Sequence, residues 1–172
     1  VALGRALAVA AARADDADTM VQLAEAAQEA VVAERELHGG FMQQFGVTPE
    51  QFAAVPLSPS AEHYTSFLLA TAWGAPWPVA MAALLPCFWI YAEVGRDAVG
   101  RSAPGNPWQA WVDTYADEHF HGLVTRMRAT IDRIAAASTP AVREQMHAAY
   151  TQAARLEWMF WDAAYRLEQW PV

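Results

Sequence analysis

The chain has 172 residues, 55% of them hydrophobic and 17% charged, with a formal net charge of −8. That length suits a single domain, 1–172, able to bury a core without help from disulfides or metal. Acidic residues outnumber basic ones 19 to 11, every cation is an arginine, and there is one cysteine; this argues against nucleic acid or an anionic membrane as partner, rules out an internal disulfide framework, and points to a reducing cytoplasm.

Taken in chain order, every periodic segment has the helical period. The first helix is predicted from about Val1 to Ala14, with Arg5 and Arg13 at helical spacing from the apolar positions. It lacks the order of regions that marks a signal peptide, and with neither an initiator Met nor an N-cap it reads as though the chain begins inside a helix. A long second helix follows Asp15-Asp16 and carries apolar residues at Met20, Leu23, Ala27, Val31, Leu37, Phe41 and Phe45, stopping at Gly46. Glu34 and His38 lie four apart on it, the spacing of an ion pair within a helix. Thr48-Pro49-Glu50-Gln51 is a helix start with a capping box. Ser58-Pro59 opens a third major helix, predicted to end before Trp73, and a fourth covers about Val79 to Gly95. The apolar run Pro78 to Ala92 is shorter than the ~20 residues of a membrane span and contains Pro86, so it reads as a kinked core helix. Past the loop Arg101 to Pro107, a fifth helix is expected from Trp108 to Ala137 and a last one from about Ala141 to Glu168. No alternating strand pattern appears, and the fold class is all-α.

In such a bundle, function comes from polar groups on buried stripes. The last helix carries its stripe at Val142, Met146, Ala149, Ala153, Leu156, Phe160 and Ala164, and Glu157 falls on that line among two Trp, a Met and a Phe. A carboxylate there is paired, raised in pKa or catalytic. Cys87 and Tyr91 share one face of the Pro-kinked fourth helix. An apolar setting alone leaves such a thiol inert, so reactivity requires a phenol or another polar group beside the sulfur. Tyr64 lies near the start of the third helix, and Tyr115 falls on the stripe of the fifth with Trp108, Trp111, Val112, His119 and Met127. Exposed Trp73 and Trp77 are candidates for an interface. Two Glu-x-x-His pairs, Glu118…His121 and Glu144…His147, have the spacing of di-iron ligand pairs. Their phase, about 100° to 160° away from the stripes, turns them to solvent, and no metal is expected.

Taken together these segments resemble the TenA family, the thiaminase II or aminopyrimidine aminohydrolase enzymes of thiamine salvage. The resemblance rests on His63-Tyr64-Thr65; Ala83-Leu84-Leu85-Pro86-Cys87-Phe88-Trp89-Ile90-Tyr91 with Gly95; Asn106-Pro107-Trp108 with Trp111, Tyr115 and Phe120; and Glu157-Trp158-Met159-Phe160-Trp161-Asp162-Ala163-Ala164-Tyr165. It implies a haem-oxygenase-like helical bundle without haem, commonly a homotetramer, acting without a cofactor on a small pyrimidine. By resemblance Cys87 is the nucleophile and Glu157 the acid/base, Tyr64 activates the thiol by hydrogen bonding, Tyr91 binds the pyrimidine, and Tyr115 lines the pocket. A thiolate that adds to an electron-poor aminopyrimidine splits a difficult displacement into steps, provided an acid protonates a ring nitrogen.

One departure stands out. Family members usually carry a further N-terminal helical segment with an Asp-x-x-Tyr or Asp-x-x-Phe element for the pyrimidine amino group, and the sequence starts where that segment would end; the expectation is that this segment is missing from the chain. Trp108 also stands where the family often has Tyr. Two other functions compete with the hydrolase: a metal-dependent oxidase on the same bundle, and a non-catalytic binding module in which Cys87 is merely packed.

Overall fold

Caps and prolines cut the chain into nine helices and no strand in the computed structural model, which describes residues 1–172. They are α1 (Ala2–Ala12), α2 (Ala17–Phe45), α3 (Pro49–Ala54), α4 (Pro59–Gly74), α5 (Trp77–Leu84), α6 (Pro86–Val99), α7 (Gln109–Ala116), α8 (Glu118–Ala137) and α9 (Pro140–Arg166). The start signals act as their chemistry requires. Asp16, Thr48, Ser58 and Thr139 each accept a hydrogen bond from a backbone N–H three residues on, and Thr48 and Gln51 form the reciprocal capping box. Gly46 closes α2 in the left-handed region at φ 66°, a conformation that favours glycine.

The short apolar helix α5 forms the centre, with every residue from Val79 to Leu84 buried. It packs against α4, α8 and α9, while α6 continues its axis and contacts α7, α8 and α9. A fully buried Leu or Met such as Leu84, Met81 or Leu156 contributes about 1.5–3 kcal/mol. Pro86 has no N–H to donate, so the Ala82 carbonyl accepts from the Leu85 amide at 3.4 Å instead, and α6 starts afresh. Together Trp77–Val99 is long and apolar enough to cross a membrane, but most of it lies inside the bundle as its core.

Several boundaries differ from the sequence reading, each for a local reason. The fifth predicted helix is two: Asp117 is extended at ψ 140° and its carboxylate accepts from the His119 amide at 2.9 Å, so a mid-pattern residue becomes an N-cap. This break resets the phase. His119 leaves the stripe for the surface, facing Glu29 at 3.4 Å, and Phe120 turns to the core in its place. The helix α4 runs through Trp73 to Gly74, and α6 through Gly95 to Val99. Trp77 is not an exposed aromatic: it packs on the core and its indole N–H donates to the Ala10 carbonyl at 2.9 Å. Trp73 is 71% exposed, as expected. The first half of α2 packs on α1 and contains all of its buried residues; α1 is only 11 residues long, so the second half of α2 extends past it.

Candidate active site

Three core helices bring three polar side chains to one point. Tyr64 comes from α4, Cys87 from the first turn of α6, and Glu157 from the middle of α9. The Tyr64 hydroxyl lies 2.8 Å from Cys87 Sγ and donates to Glu157 Oε2 at 2.6 Å. That hydroxyl carries one hydrogen, so while it donates to the carboxyl, the thiol S–H is the donor in the other contact. The three groups form a chain, S–H to phenol oxygen and phenol O–H to carboxyl. Glu157 is 1% exposed, and its other oxygen, Oε1, is buried without a hydrogen-bond partner. Tyr91, Trp161 and Cys87 also face the carboxyl, yet none of them donates to Oε1 in hydrogen-bonding geometry.

The electrostatics follow from this burial. Desolvation raises Glu157 above the ordinary carboxylate range, opposed by the hydrogen bond from Tyr64. Burial, reinforced by the adjacent Glu157, pushes the Cys87 thiol far above its usual range, while Tyr64 and the Cys87 backbone N–H pull the other way. Tyr64 is raised by burial and by the charges of Cys87 and Glu157. Burial thus disfavours the charged form of each member of the cluster, a thiol and a carboxyl joined through a phenol. The Cys87 residue as a whole is partly buried, and its thiol shares a helix face with Tyr91.

On that face lies a box of aromatic rings. Tyr91, one turn beyond Cys87 on α6, has its ring 4.8 Å from Tyr115, 5.6 Å from Trp161 and 6.0 Å from Trp111, centroid to centroid. Trp111 lies edge-on to Trp161 at 5.3 Å, and Phe120 edge-on to Tyr115 at 5.1 Å. At these separations the rings pack against one another, so the box is a contiguous aromatic surface on the Cys87 face of α6. Two walls, Trp111 and Tyr115, stand on α7, which approaches α6 closely because Gly95 has no side chain. A Cβ at Gly95 would lie 2.6 Å from the Tyr115 carbonyl carbon and oxygen. The Tyr115 hydroxyl donates to Glu34 Oε1 at 3.0 Å.

All five residues singled out from the sequence, Tyr64, Cys87, Tyr91, Tyr115 and Glu157, meet here. The phenol required beside the sulfur is Tyr64, a residue 23 positions away. The setting of Glu157 differs from the one expected: Trp158 is 65% exposed and Met159 also faces outward, so Tyr64, Cys87, Tyr91 and Trp161 surround the carboxyl instead. Helical phase explains this, since neighbours at i+1 and i+2 leave the stripe while i+4 returns to it. Trp111 and Trp161 join the box without having been assigned to it, although both sat in the quoted motifs. Glu34 does pair with His38 as expected, at 3.2 Å, but its contact to Tyr115 crosses 81 residues and had no local signal. The two Glu-x-x-His pairs stay apart from this site; Glu118, Glu144 and His147 are exposed, and His121 takes a 2.9 Å contact from Arg96. Nowhere do three His, Cys, Asp or Glu side chains converge.

A helical bundle of haem-oxygenase-like fold, with a thiol, phenol and carboxyl in series under an aromatic box, is the class that fold and site define. The chain belongs to the TENA/THI-4/PQQC family, which it matches over residues 1–167. It is 35% identical over 161 residues to an aminopyrimidine aminohydrolase of Bacillus subtilis, covering 93% of this chain and 68% of that protein. It is 34% identical to the thiamine biosynthesis multifunctional protein ThiED of Corynebacterium efficiens, of which it spans only 22%. Among solved structures, a TenA homologue from P. horikoshii superposes with a TM-score of 0.84 at 29% identity, covering 96% of this chain and 76% of that one. A second TenA homologue, from Pyrococcus furiosus, has the same fold, with a TM-score of 0.87 at 21% identity. With relatives of this kind the chain stands among the hydrolases of its family.

Proposed function

We propose that the chain releases hydroxymethylpyrimidine in thiamine salvage, by hydrolysing the C–N bond of an aminomethyl-pyrimidine or of thiamine. The observation that carries this reading is the Cys87–Tyr64–Glu157 chain lying beside the aromatic box. The box takes the flat pyrimidine, and Tyr91 and Tyr115 bind it there. The substrate's ring nitrogen meets Glu157 Oε1, the carboxyl oxygen with no partner in the protein. Addition of sulfur to the ring then moves protons along the chain: the thiol proton passes to the Tyr64 oxygen, the Tyr64 proton to Glu157 Oε2, and the Glu157 proton from Oε1 to the ring nitrogen. No charge is stranded in the buried cluster at any point of this relay, which suits a site whose burial penalises every anion. From the aminomethyl compound the nitrogen leaves the methylene as ammonia, taking the ring-nitrogen proton; from thiamine the thiazolium leaves as neutral thiazole without a proton, and the ring-nitrogen proton is released to solvent. Water then gives its hydroxyl to the methylene and a proton to the ring nitrogen, and the sulfur leaves the ring as that proton returns along the chain to re-form the thiol. The products are the hydroxymethylpyrimidine and the amine, ammonia from the aminomethyl compound and a thiazole from thiamine.

A reducing cytoplasm would keep this single thiol intact, and a homotetramer is the assembly that the resemblance implies. The test is turnover of both substrates by the wild-type protein and by Cys87→Ser. The serine variant is expected to keep its fold and its affinity for hydroxymethylpyrimidine while kcat falls by about 10³-fold or more, because serine is a far weaker nucleophile in a cluster with no strong base. Normal turnover by Cys87→Ser would overturn the reading. Stoichiometric iron or manganese with oxidase activity would favour the metal-dependent alternative, and binding without product the non-catalytic one.

A further inference from the structure

The second half of α2 poses a question that the core does not answer. From residue 28 to residue 45 it buries no side chain completely, and α1 meets it only near its start, where Gly4 faces Val31. What it does touch is the segment that bears two walls of the aromatic box. Gln44 donates to the Pro107 carbonyl at 3.1 Å, Phe41 and Phe45 hold the Trp108 ring at 4.9 and 5.0 Å, and Glu34 Oε1 accepts from the Tyr115 hydroxyl. These contacts bracket α7, meeting the residues just before its start and Tyr115 in its last turn.

Among them, the Glu34 contact is the one that reaches a ring of the box. Glu34 is held from two sides, since its Oε2 lies 3.2 Å from His38 Nε2 while Oε1 takes the Tyr115 hydroxyl. Each oxygen therefore has one partner, and the carboxylate is fixed rather than free to rotate. Tyr115 in turn is pinned at both ends: its backbone rests on Gly95 and its hydroxyl on Glu34. A tyrosine pinned in this way keeps its ring 4.8 Å from Tyr91 while its hydroxyl points to Glu34. Without the carboxylate, the hydroxyl has no protein partner and gains by turning toward the box, where it would compete with the guest ring.

We propose that Glu34 is a positioning residue for substrate binding, acting through the Tyr115 hydroxyl to hold one wall of the box in its binding orientation. This inference rests on reading the box as the pyrimidine site. Glu34 never touches the guest, and its effect falls on KM rather than on kcat, because the Cys87–Tyr64–Glu157 chain is carried by other helices.

A double-mutant cycle tests it, using wild-type protein, Glu34→Ala, Tyr115→Phe and the pair, with two readouts: steady-state turnover of the aminomethyl-pyrimidine, and calorimetric binding of hydroxymethylpyrimidine. Glu34→Ala is expected to raise KM roughly tenfold, the scale of a hydrogen bond to a charged group, with kcat changed less than about twofold. In the Tyr115→Phe background the same substitution is expected to have no further effect, since the hydroxyl it acts through is gone. Glu34→Gln, whose amide oxygen still accepts from Tyr115, is expected to recover most of the loss. Additive effects in the cycle would overturn the proposal, as would an unchanged KM or a fall confined to kcat. A wild-type protein that binds but does not turn over would refute the hydrolase reading instead, and the binding cycle would still decide the part played by Glu34.

Discussion

The reactive chain and the aromatic box lie side by side but are built differently. Tyr64, Cys87 and Glu157 stand on α4, α6 and α9, helices packed directly around the buried centre, with Tyr64 and Glu157 buried and Cys87 partly so. The box borrows one ring from α6 and one from α9, but its other two come from α7, eight residues long with Val112 as its single buried residue. The core helices position reacting atoms by packing, and α7 is positioned by its seat on α6 at Gly95, by α8, and by the single hydrogen bond from Tyr115 to Glu34 of α2. Chemistry here is rigid by construction, whereas recognition is rigid only through a few contacts.

That contrast can be broken most sharply at Glu157. Glu157→Gln removes the acid while preserving shape, and it is expected to lower kcat by about 10²–10⁴-fold with little change in pyrimidine affinity. A comparable fall in affinity, measured by calorimetry, would mean that the two regions do not divide the work as described. The same variant reports on burial. The folded-state pKa of Glu157 is raised by desolvation, so its favourable contribution is complete below the unfolded value near 4.5 and is lost as pH rises through the raised folded value. The glutamine variant lacks this loss. Its melting temperature relative to wild type is therefore expected to climb as pH moves up through that window, and a difference independent of pH would contradict the raised pKa of Glu157.

Gly95→Ala tests the grip on α7. The added methyl has no room beside the Tyr115 backbone, and moving the helix outward is expected to cost about 1–3 kcal/mol in chemical denaturation and to raise KM more than it lowers kcat. Trp111→Ala is the mildest of the set. It removes one ring from a box of four and is expected to weaken pyrimidine binding by about tenfold, with kcat at saturating substrate nearly unchanged. A large kcat effect there would show that the wall also orients the reacting carbon.

The same division governs what could be read from residue order alone. Helices with stripes and caps were legible, and so were Cys87, Tyr91 and Glu157, because polar residues on apolar lines stand out locally. The partnership of Tyr64 with both was not visible from periodicity; it required the resemblance, since the contact joins residues 23 and 93 apart. The break at Asp117 escaped because the residues on either side keep the helical pattern, and only the backbone turn shows that the aspartate is a cap. Glu34 was legible as half of an ion pair, a reading that was correct and incomplete. Its second oxygen serves a helix far along the chain, and no pattern within α2 announces it.

The cap at Asp117 has a consequence for how this site can change over time. Because α8 begins with its own cap, its register against the core does not depend on the helix before it. The stretch from residue 100 to residue 116 is thus a replaceable cassette between two independently anchored helices. Lengthening it, shortening it or exchanging its aromatics would reshape the guest site while α8 keeps its own register, Val112 being the buried side chain such a change would carry with it. A lineage, or an engineer, seeking a different ring would cut there first.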